Sequence, residues 1–209
     1  MYINSHMKRM MQIALFILVG YLRAEMFPEN EAQLNYTQVF FRWDQIPSAE
    51  SYQFTLQKIG TGQELGLNVQ KNSVLLTEGI DWNSTYTWFI CGLFPDDSDP
   101  FCSEIYSLDI SPLPDYFPNT DNIFIDESLY QDGVTVMDIE SLNFSGGIDR
   151  DGNPIWFVDK NLFDIRFTFT HFLPNGNVIG FEPDKGYEID LNGNRIFETP
   201  DGYSVHHDF

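Results

Sequence analysis

The chain has 209 residues, of which 43% are hydrophobic and 16% aromatic, and it carries a formal net charge of −20. This length gives room for one or two domains. The negative charge argues against nucleic acid and anionic membrane surfaces as partners, because like charges repel. The acidic side chains are spread over turns and strand ends, which is typical of a solvated surface.

The N-terminus carries a predicted export signal. Lys8 and Arg9 precede an apolar run over 10–22, and a small residue, Ala24, follows. This order is typical of a secretory signal peptide, predicted here over residues 1–24. The run is too short to span a bilayer. A retained anchor stays open as an alternative, because Leu22 is not the small residue expected before a cleavage site. The predicted location is secreted, periplasmic or on the cell surface.

Export makes the two cysteines informative. Cys91 and Cys102 are the only cysteines of the chain. In an oxidising compartment they are predicted to form a disulfide between neighbouring strands. A catalytic thiol is disfavoured, because no histidine lies nearby in the sequence. Three acceptor sequons, at Asn35, Asn83 and Asn143, matter only in a host that glycosylates.

Residues 27–111 are predicted to form a β-sandwich. Short segments rich in aromatic and β-branched residues alternate with turns, and none has a sustained 3.6-residue apolar period. In the segment 51–57 the alternation places Tyr52, Phe54 and Leu56 on one face. Three prolines make residues 112–133 a linker. The apolar side chains of this linker are expected to pack on a neighbouring domain.

Three motifs in the first region resemble the fibronectin type III domain. They are FRW at 41–43, AESY at 49–52 and WNSTYTW at 82–88. Domains of that family place a tryptophan on an inner strand and a tyrosine at the corner that enters a later strand. The fold of such a domain does not by itself define a function. The resemblance therefore implies only the default role of a spacer, docking or dimerising module.

The C-terminal region contains a repeat. Residues 148–156 (IDRDGNPIW) return 41 positions later as 189–197 (IDLNGNRIF), and a similar turn occupies 173–179 (LPNGNVI). The Asp-Gly and Asn-Gly dipeptides predict type I′ hairpins, in which both central residues have positive φ. A hairpin repeat of this length is typical of four-stranded β-propeller blades. Residues 134–209 are therefore predicted to be the first one to two blades, in an all-β chain that is the front part of a longer protein.

The two repeat turns also have some features of calcium-binding loops. Loops starting at Asp149 and Asp190 carry alternating acidic and amide residues. Neither has glycine at the sixth position, and Lys160 stands where a loop starting at Asp149 needs glutamate. Both are predicted to be hairpin turns, and no metal site is predicted.

Just before the last residue, Phe209, the sequence has the polar group His206, His207 and Asp208, at a position where a blade needs apolar packing. In a strand, His206 and Asp208 point to one side and His207 to the other. One histidine can therefore face the central channel while the other packs between blades. A neighbouring carboxylate can hold the histidine tautomer and support an imidazolium. Two hydrogen-bonded structural histidines remain the alternative. His171 is predicted to be structural.

The hairpin pattern, the LPNGN turn and the VHHDF strand at 205–209 together resemble the bacterial arylsulfotransferase family. This resemblance implies a secreted six-bladed propeller preceded by a β-sandwich. It also implies transfer of a sulfuryl group from a phenolic sulfate ester to a phenol, through a sulfohistidine intermediate. No nucleotide sulfate donor and no cofactor is implied.

Only one site of that family maps onto this chain. The site is His206, His207 and Asp208. Its role would be to bind the sulfuryl oxygens and stabilise their charge, with His206 favoured as the channel-facing residue, Asp208 on the same side of the strand and His207 as the alternative. The nucleophilic histidine and the arginine of the family would lie in later blades, so these 209 residues alone are predicted to be inactive. The expected partners are a phenolic sulfate donor and a phenol acceptor, and a homodimer is left open. The alternative is a non-catalytic surface propeller that binds glycans or proteins.

Overall fold

The computed structural model describes residues 26–95, 98–120, 127–129, 133–139, 144–163, 166–203 and 205. Fifteen strands run through these residues. The only helical elements within the described ranges are two short 3-10 helices, Glu127–Leu129 and Lys160–Leu162. The prediction of an all-β chain is therefore confirmed. No helix in these ranges is long and apolar enough to cross a membrane, and the predicted signal peptide lies outside them.

The strands fall into two groups along the chain. The first group is β1 (Ala32–Leu34), β2 (Val39–Arg42), β3 (Ser51–Lys58), β4 (Glu64–Val69), β5 (Ser73–Leu76), β6 (Ser84–Leu93), β7 (Phe101–Cys102) and β8 (Tyr106–Ile110). The second group is β9 (Thr135–Ile139), β10 (Phe144–Ile148), β11 (Pro154–Val158), β12 (Thr168–Phe172), β13 (Val178–Glu182), β14 (Lys185–Ile189) and β15 (Arg195–Glu198).

The first group forms two sheets that face each other. Six strands make one sheet in the order β1-β8-β6-β3-β4, with β7 paired to β6, and β2 pairs with β5 in the other. The ring of Phe41, on β2, lies 4.9 Å from that of Phe54 and 5.1 Å from that of Trp88, on the larger sheet. The alternation predicted for the third strand is confirmed, because Tyr52, Phe54 and Leu56 are all buried. These aromatic side chains form the centre of the core.

Two local features stabilise the first group of strands. The hydroxyl oxygen of Tyr86 accepts a hydrogen bond from the backbone N–H of Asp81 at 2.8 Å, which ties the start of β6 to the preceding loop. Cys91 and Cys102 form a disulfide between β6 and β7, which are neighbours in the sheet. The predicted disulfide is therefore present.

The second group forms two antiparallel meanders, a three-stranded sheet in the order β11-β10-β9 and a four-stranded sheet in the order β12-β13-β14-β15. Their last hairpins have the same register. Gly146, Gly147 and Ile148 pair with Phe157, Trp156 and Pro154. The residues 41 positions later, Tyr187, Glu188 and Ile189, pair with Glu198, Phe197 and Arg195. The sequence repeat is thus a structural repeat.

The prediction that these hairpins have type I′ turns is wrong. In each of the three turns only the glycine has positive φ, at Gly152, Gly176 and Gly193. Each loop has three residues, closed by a hydrogen bond such as that from the N–H of Asp190 to the carbonyl of Asn194 at 3.0 Å. This is the arrangement of a type I turn followed by a left-handed glycine. In two of the three turns, Asp149 and Asp190 favour this arrangement by accepting backbone hydrogen bonds, which a prediction from the dipeptide alone does not consider.

The two groups of strands are joined by backbone pairing and by aromatic packing. Tyr36, between β1 and β2, forms an antiparallel bridge with Trp156 on β11. In the segment that precedes β9, Phe117 is buried, with its ring 5.0 Å from that of Phe144. Trp82 donates its indole N–H to the carbonyl of Pro154 at 3.1 Å. These contacts anchor the first meander on the two facing sheets.

Candidate functional site

The predicted catalytic group cannot be placed in the fold. His206, His207 and Asp208 lie outside the described residues. The chain leads toward them from β15 through a turn over 200–203, and Val205 is half-buried. His171 lies on β12, where its side chain is exposed and its backbone is paired with that of Ile179.

The described residues form one large cleft, of about 990 Å³, between the N-terminal segment and the turns of the second meander. Its lining includes amides, carboxylates and aromatic rings but no lysine or arginine. Sequence reasoning missed this cleft, because its walls come from segments more than 150 residues apart. The residues that define its chemistry are Phe27, Glu29, Glu31, Tyr36, Phe40, Asn175, Asp190 and Asn192.

A pair of asparagines closes the cleft at its base. The backbone N–H of Asn35 donates to the side-chain oxygen of Asn192 at 3.0 Å, and the Asn35 amide donates to the Asn192 carbonyl at 3.1 Å. Tyr36 lies beside this pair and is buried. Its burial, together with the negative charge of Asp190, raises the pKa of Tyr36 to about 12. The Tyr36 hydroxyl therefore stays protonated at neutral pH and can act as a hydrogen-bond donor.

The aspartates of the repeat turns are structural. Asp190 accepts hydrogen bonds from the backbone N–H groups of Asn192 and Asn194 and from the Asn194 amide, at 2.8–2.9 Å. Asp149 makes the equivalent three bonds with Asp151 and Asn153. Both carboxylates are thus engaged in organising their own turns. Among the described residues, no group of three or more histidine, cysteine, aspartate or glutamate side chains could hold a metal ion.

A polar cluster links the two meanders away from the cleft. Ser145, buried on β10, donates a short hydrogen bond to Asp138 on β9. The same carboxylate accepts the backbone N–H of Phe169, on β12, at 3.2 Å. Burial raises the pKa of Asp138, while these two hydrogen bonds and the charge of Arg166 act in the opposite direction. Sequence alternation gave no sign of this cluster, because it indicates only which face of the strand Asp138 occupies.

We expect the variant Asp138→Asn to become more stable relative to the parent as the pH rises from about 3 to about 6. The raised pKa means that the folded state favours the protonated carboxyl. That contribution is complete below the unfolded pKa and is lost as the pH rises through the folded value, whereas the amide stays neutral. The change should stay below about 1 kcal/mol, because the side chain is partly solvated.

Thermal unfolding of both proteins across this pH range measures the difference. The control Asp138→Ala removes the carboxylate oxygen that accepts both hydrogen bonds and should be destabilised at every pH. A pH-independent difference between Asp138→Asn and the parent would contradict the expectation.

A buried carboxylate, Glu182, lies within the four-stranded sheet. The Tyr187 hydroxyl donates to Glu182 at 2.7 Å, and both side chains are buried. Burial and the adjacent carboxylate raise the pKa of Tyr187. The guanidinium of Arg195 lies 4.9 Å from the centre of the Tyr187 ring. This group is enclosed in the core of the meander, so its geometry indicates a structural role.

No protein-family model matches the chain, and no curated protein matches it. The chain combines a facing pair of sheets, a repeated meander and an amide-rich cleft between the N-terminal segment and the second meander.

Proposed function

We propose that the chain is the N-terminal part of an exported arylsulfotransferase, which transfers a sulfuryl group from a phenolic sulfate ester to a phenol. The observation that carries this proposal is the repeated hairpin, in which a 41-residue shift reproduces the strand register. Four-stranded meanders that recur at about this spacing are the units of a propeller, and three strands of the first meander lie among the described residues. The first meander would supply one blade and the second meander the next, in a ring of six.

The first group of strands would be the fibronectin type III-like domain that precedes the propeller. The bond between the Tyr86 hydroxyl and the Asp81 backbone supports this assignment, because such sandwiches often tie a strand-entry tyrosine to the backbone a few residues upstream. Trp43 and Trp88, buried where the two sheets meet, support it as well. The Cys91–Cys102 disulfide is compatible with an exported protein.

The sulfuryl chemistry would fall to the polar group that follows the second meander. The transferring group carries negative charge on its oxygens, and a positioned imidazolium stabilises such charge as it develops. His206 would fill this role with Asp208 supporting its protonated form, and His207 is the alternative. The nucleophilic histidine would come from a later blade, so His206 and His207 would bind and stabilise without attacking sulfur.

The test is sulfuryl transfer from p-nitrophenyl sulfate to phenol by the full-length protein, with release of p-nitrophenol as the readout. We expect His206→Ala or His207→Ala to lower kcat by about 100-fold or more, as is usual when one electrostatic group of a site is removed. His171→Ala is the matched control and should retain activity, because this exposed histidine is not among the residues of the proposed site. Absence of turnover, or full activity in both site variants, would contradict the assignment.

A second function, a non-catalytic propeller that binds glycans, is favoured by the cleft. Its amide and carboxylate groups can bind hydroxyls, and the rings of Phe27 and Phe40, each about two-fifths exposed, offer apolar faces. The same assay separates the two functions, because only the enzyme turns over the sulfate ester.

A further inference from the structure

The two repeated hairpins have the same register but different surroundings. On β11, Ile155 and Trp156 are 6% and 4% exposed. Their equivalents on β15, Ile196 and Phe197, are 57% and 50% exposed. The two meanders therefore differ in whether the outer strand is covered.

The cover on β11 is an extended segment of the chain itself. The N–H of Thr37 donates to the carbonyl of Ile155 at 2.9 Å, and the N–H of Phe157 donates to the carbonyl of Asn35 at 3.2 Å. Between these two bonds, Tyr36 lies opposite Trp156. The outer edge of β11 thus offers the N–H of Phe157 and the C=O of Ile155 to this segment, with Trp156 between them.

The same two groups recur on β15. The equivalents of Phe157 and Ile155 are Glu198 and Ile196, and the matching register directs the Glu198 N–H and the Ile196 C=O to the outer edge. β15 is the terminal strand of its sheet, and no described residue pairs with this edge. An uncovered edge with two apolar side chains is a template for pairing with another strand.

We propose that β15 is a self-association edge, at which two copies of this chain pair antiparallel about a two-fold axis through Phe197. In that register each Glu198 N–H meets the Ile196 C=O of the other copy, so both outward groups of both strands are satisfied. The two Phe197 residues then form a non-hydrogen-bonded pair with Cα atoms about 4.5 Å apart, where aromatic side chains stabilise sheets. A symmetric dimer needs only this one self-complementary patch.

β15 combines two exposed apolar side chains with no net charge. The chain carries a net charge of −20, which opposes association between copies. β15 itself contains one arginine, Arg195, and one glutamate, Glu198, and is therefore neutral. In contrast, the terminal strand β4 exposes only Glu64, Gly66 and Asn68. Two copies can meet at β15 without placing equal charges directly opposite each other.

The first experiment is cysteine cross-linking of the 209-residue chain. Phe197→Cys should form a covalent dimer under mild oxidation, because the two-fold register brings the two positions within disulfide range. The two native cysteines are joined to each other, so they do not compete. Leu75→Cys is the matched control, because Leu75 is 57% exposed on the two-stranded sheet, and it should remain monomeric in non-reducing gels. Equal cross-linking at both positions, or none at Phe197→Cys, would overturn the proposal.

The second experiment measures reversible association by sedimentation equilibrium. Phe197→Glu and Glu198→Pro should each weaken the dimer by about tenfold or more, the first by charge repulsion and the second by removing the outward N–H. Leu75→Glu and Glu198→Gln are the controls and should associate like the parent. A parent that stays monomeric, or variants that associate unchanged while folded, would refute the β15 edge. Neither experiment depends on sulfuryl transfer, so the two proposals can fail separately.

Discussion

Trp156→Ala is expected to lower the free energy of unfolding by about 3–5 kcal/mol, the usual cost of deleting a large buried aromatic side chain. Trp156 is 4% exposed, and its ring lies 5.8 Å from that of Phe172 on the second meander. Its indole N–H donates to the carbonyl of Leu191 at 2.9 Å, and its backbone pairs with Tyr36. Trp156 therefore links the N-terminal segment, through its backbone, to the second meander, through its side chain.

The repeat supplies a matched control for this variant. Phe197 occupies the equivalent register position but is 50% exposed, so Phe197→Ala should cost less than about 1 kcal/mol. Trp156→Phe keeps most of the packing and removes only the indole hydrogen bond, for an expected loss of about 1 kcal/mol. Urea unfolding followed by circular dichroism, at dilute protein so that association does not contribute, measures all three. Equal losses for Trp156→Ala and Phe197→Ala would refute the role assigned to Trp156.

Gly180→Ala is expected to destabilise the chain by about 3 kcal/mol, at the upper end of the usual cost of overpacking. A methyl group at Gly180, on β13, would collide with the ring of Phe167 and would lie 2.5 Å from the carbonyl oxygen of Thr168. The carbonyl belongs to the adjacent backbone, so it cannot move aside without shifting β12. Phe167 is buried against Phe163, with ring centres 4.7 Å apart, and has little room to rotate.

Gly66→Ala is the control, because Gly66 lies in strand β4 with no atom within 4 Å of an added methyl group. It should be neutral or slightly stabilising, since alanine restricts the unfolded chain more than glycine does. Thermal unfolding of the two variants compares the same substitution in two strands. Equal stability of the two variants would contradict the tight contact between β13 and Phe167.

Several features of this fold could be predicted from local patterns. The alternation at Tyr52, Phe54 and Leu56 predicted which face of β3 is buried, because side chains on a strand alternate between the two faces. The repeat predicted two equivalent hairpins, and their registers agree. The Cys91–Cys102 disulfide followed from the number of cysteines and the predicted export.

The turn type could not be predicted from the dipeptides alone. Asp-Gly and Asn-Gly suit a two-residue loop, but Asp149 and Asp190 each accept three hydrogen bonds that stabilise a three-residue loop instead. The position of glycine in the equivalent cross-strand pairs was also not predictable from the repeat. In the second meander Gly180 on β13 pairs with Tyr187 on β14. In the first meander Met137 on β9 pairs with Gly146 on β10, so the glycine lies on the other strand of the pair.

The sequence by itself determined the strand class, the repeat and the disulfide, because alternation, turn residues and cysteine number act over short distances along the chain. Only the tertiary structure decided that Tyr36 pairs with Trp156, that Asn35 meets Asn192 in a cleft, and that no other described strand pairs with the outer edge of β15. These outcomes depend on which distant segments meet once the sheets have packed. No local periodicity encodes that choice, because it is made by the combined burial and backbone pairing of the whole chain.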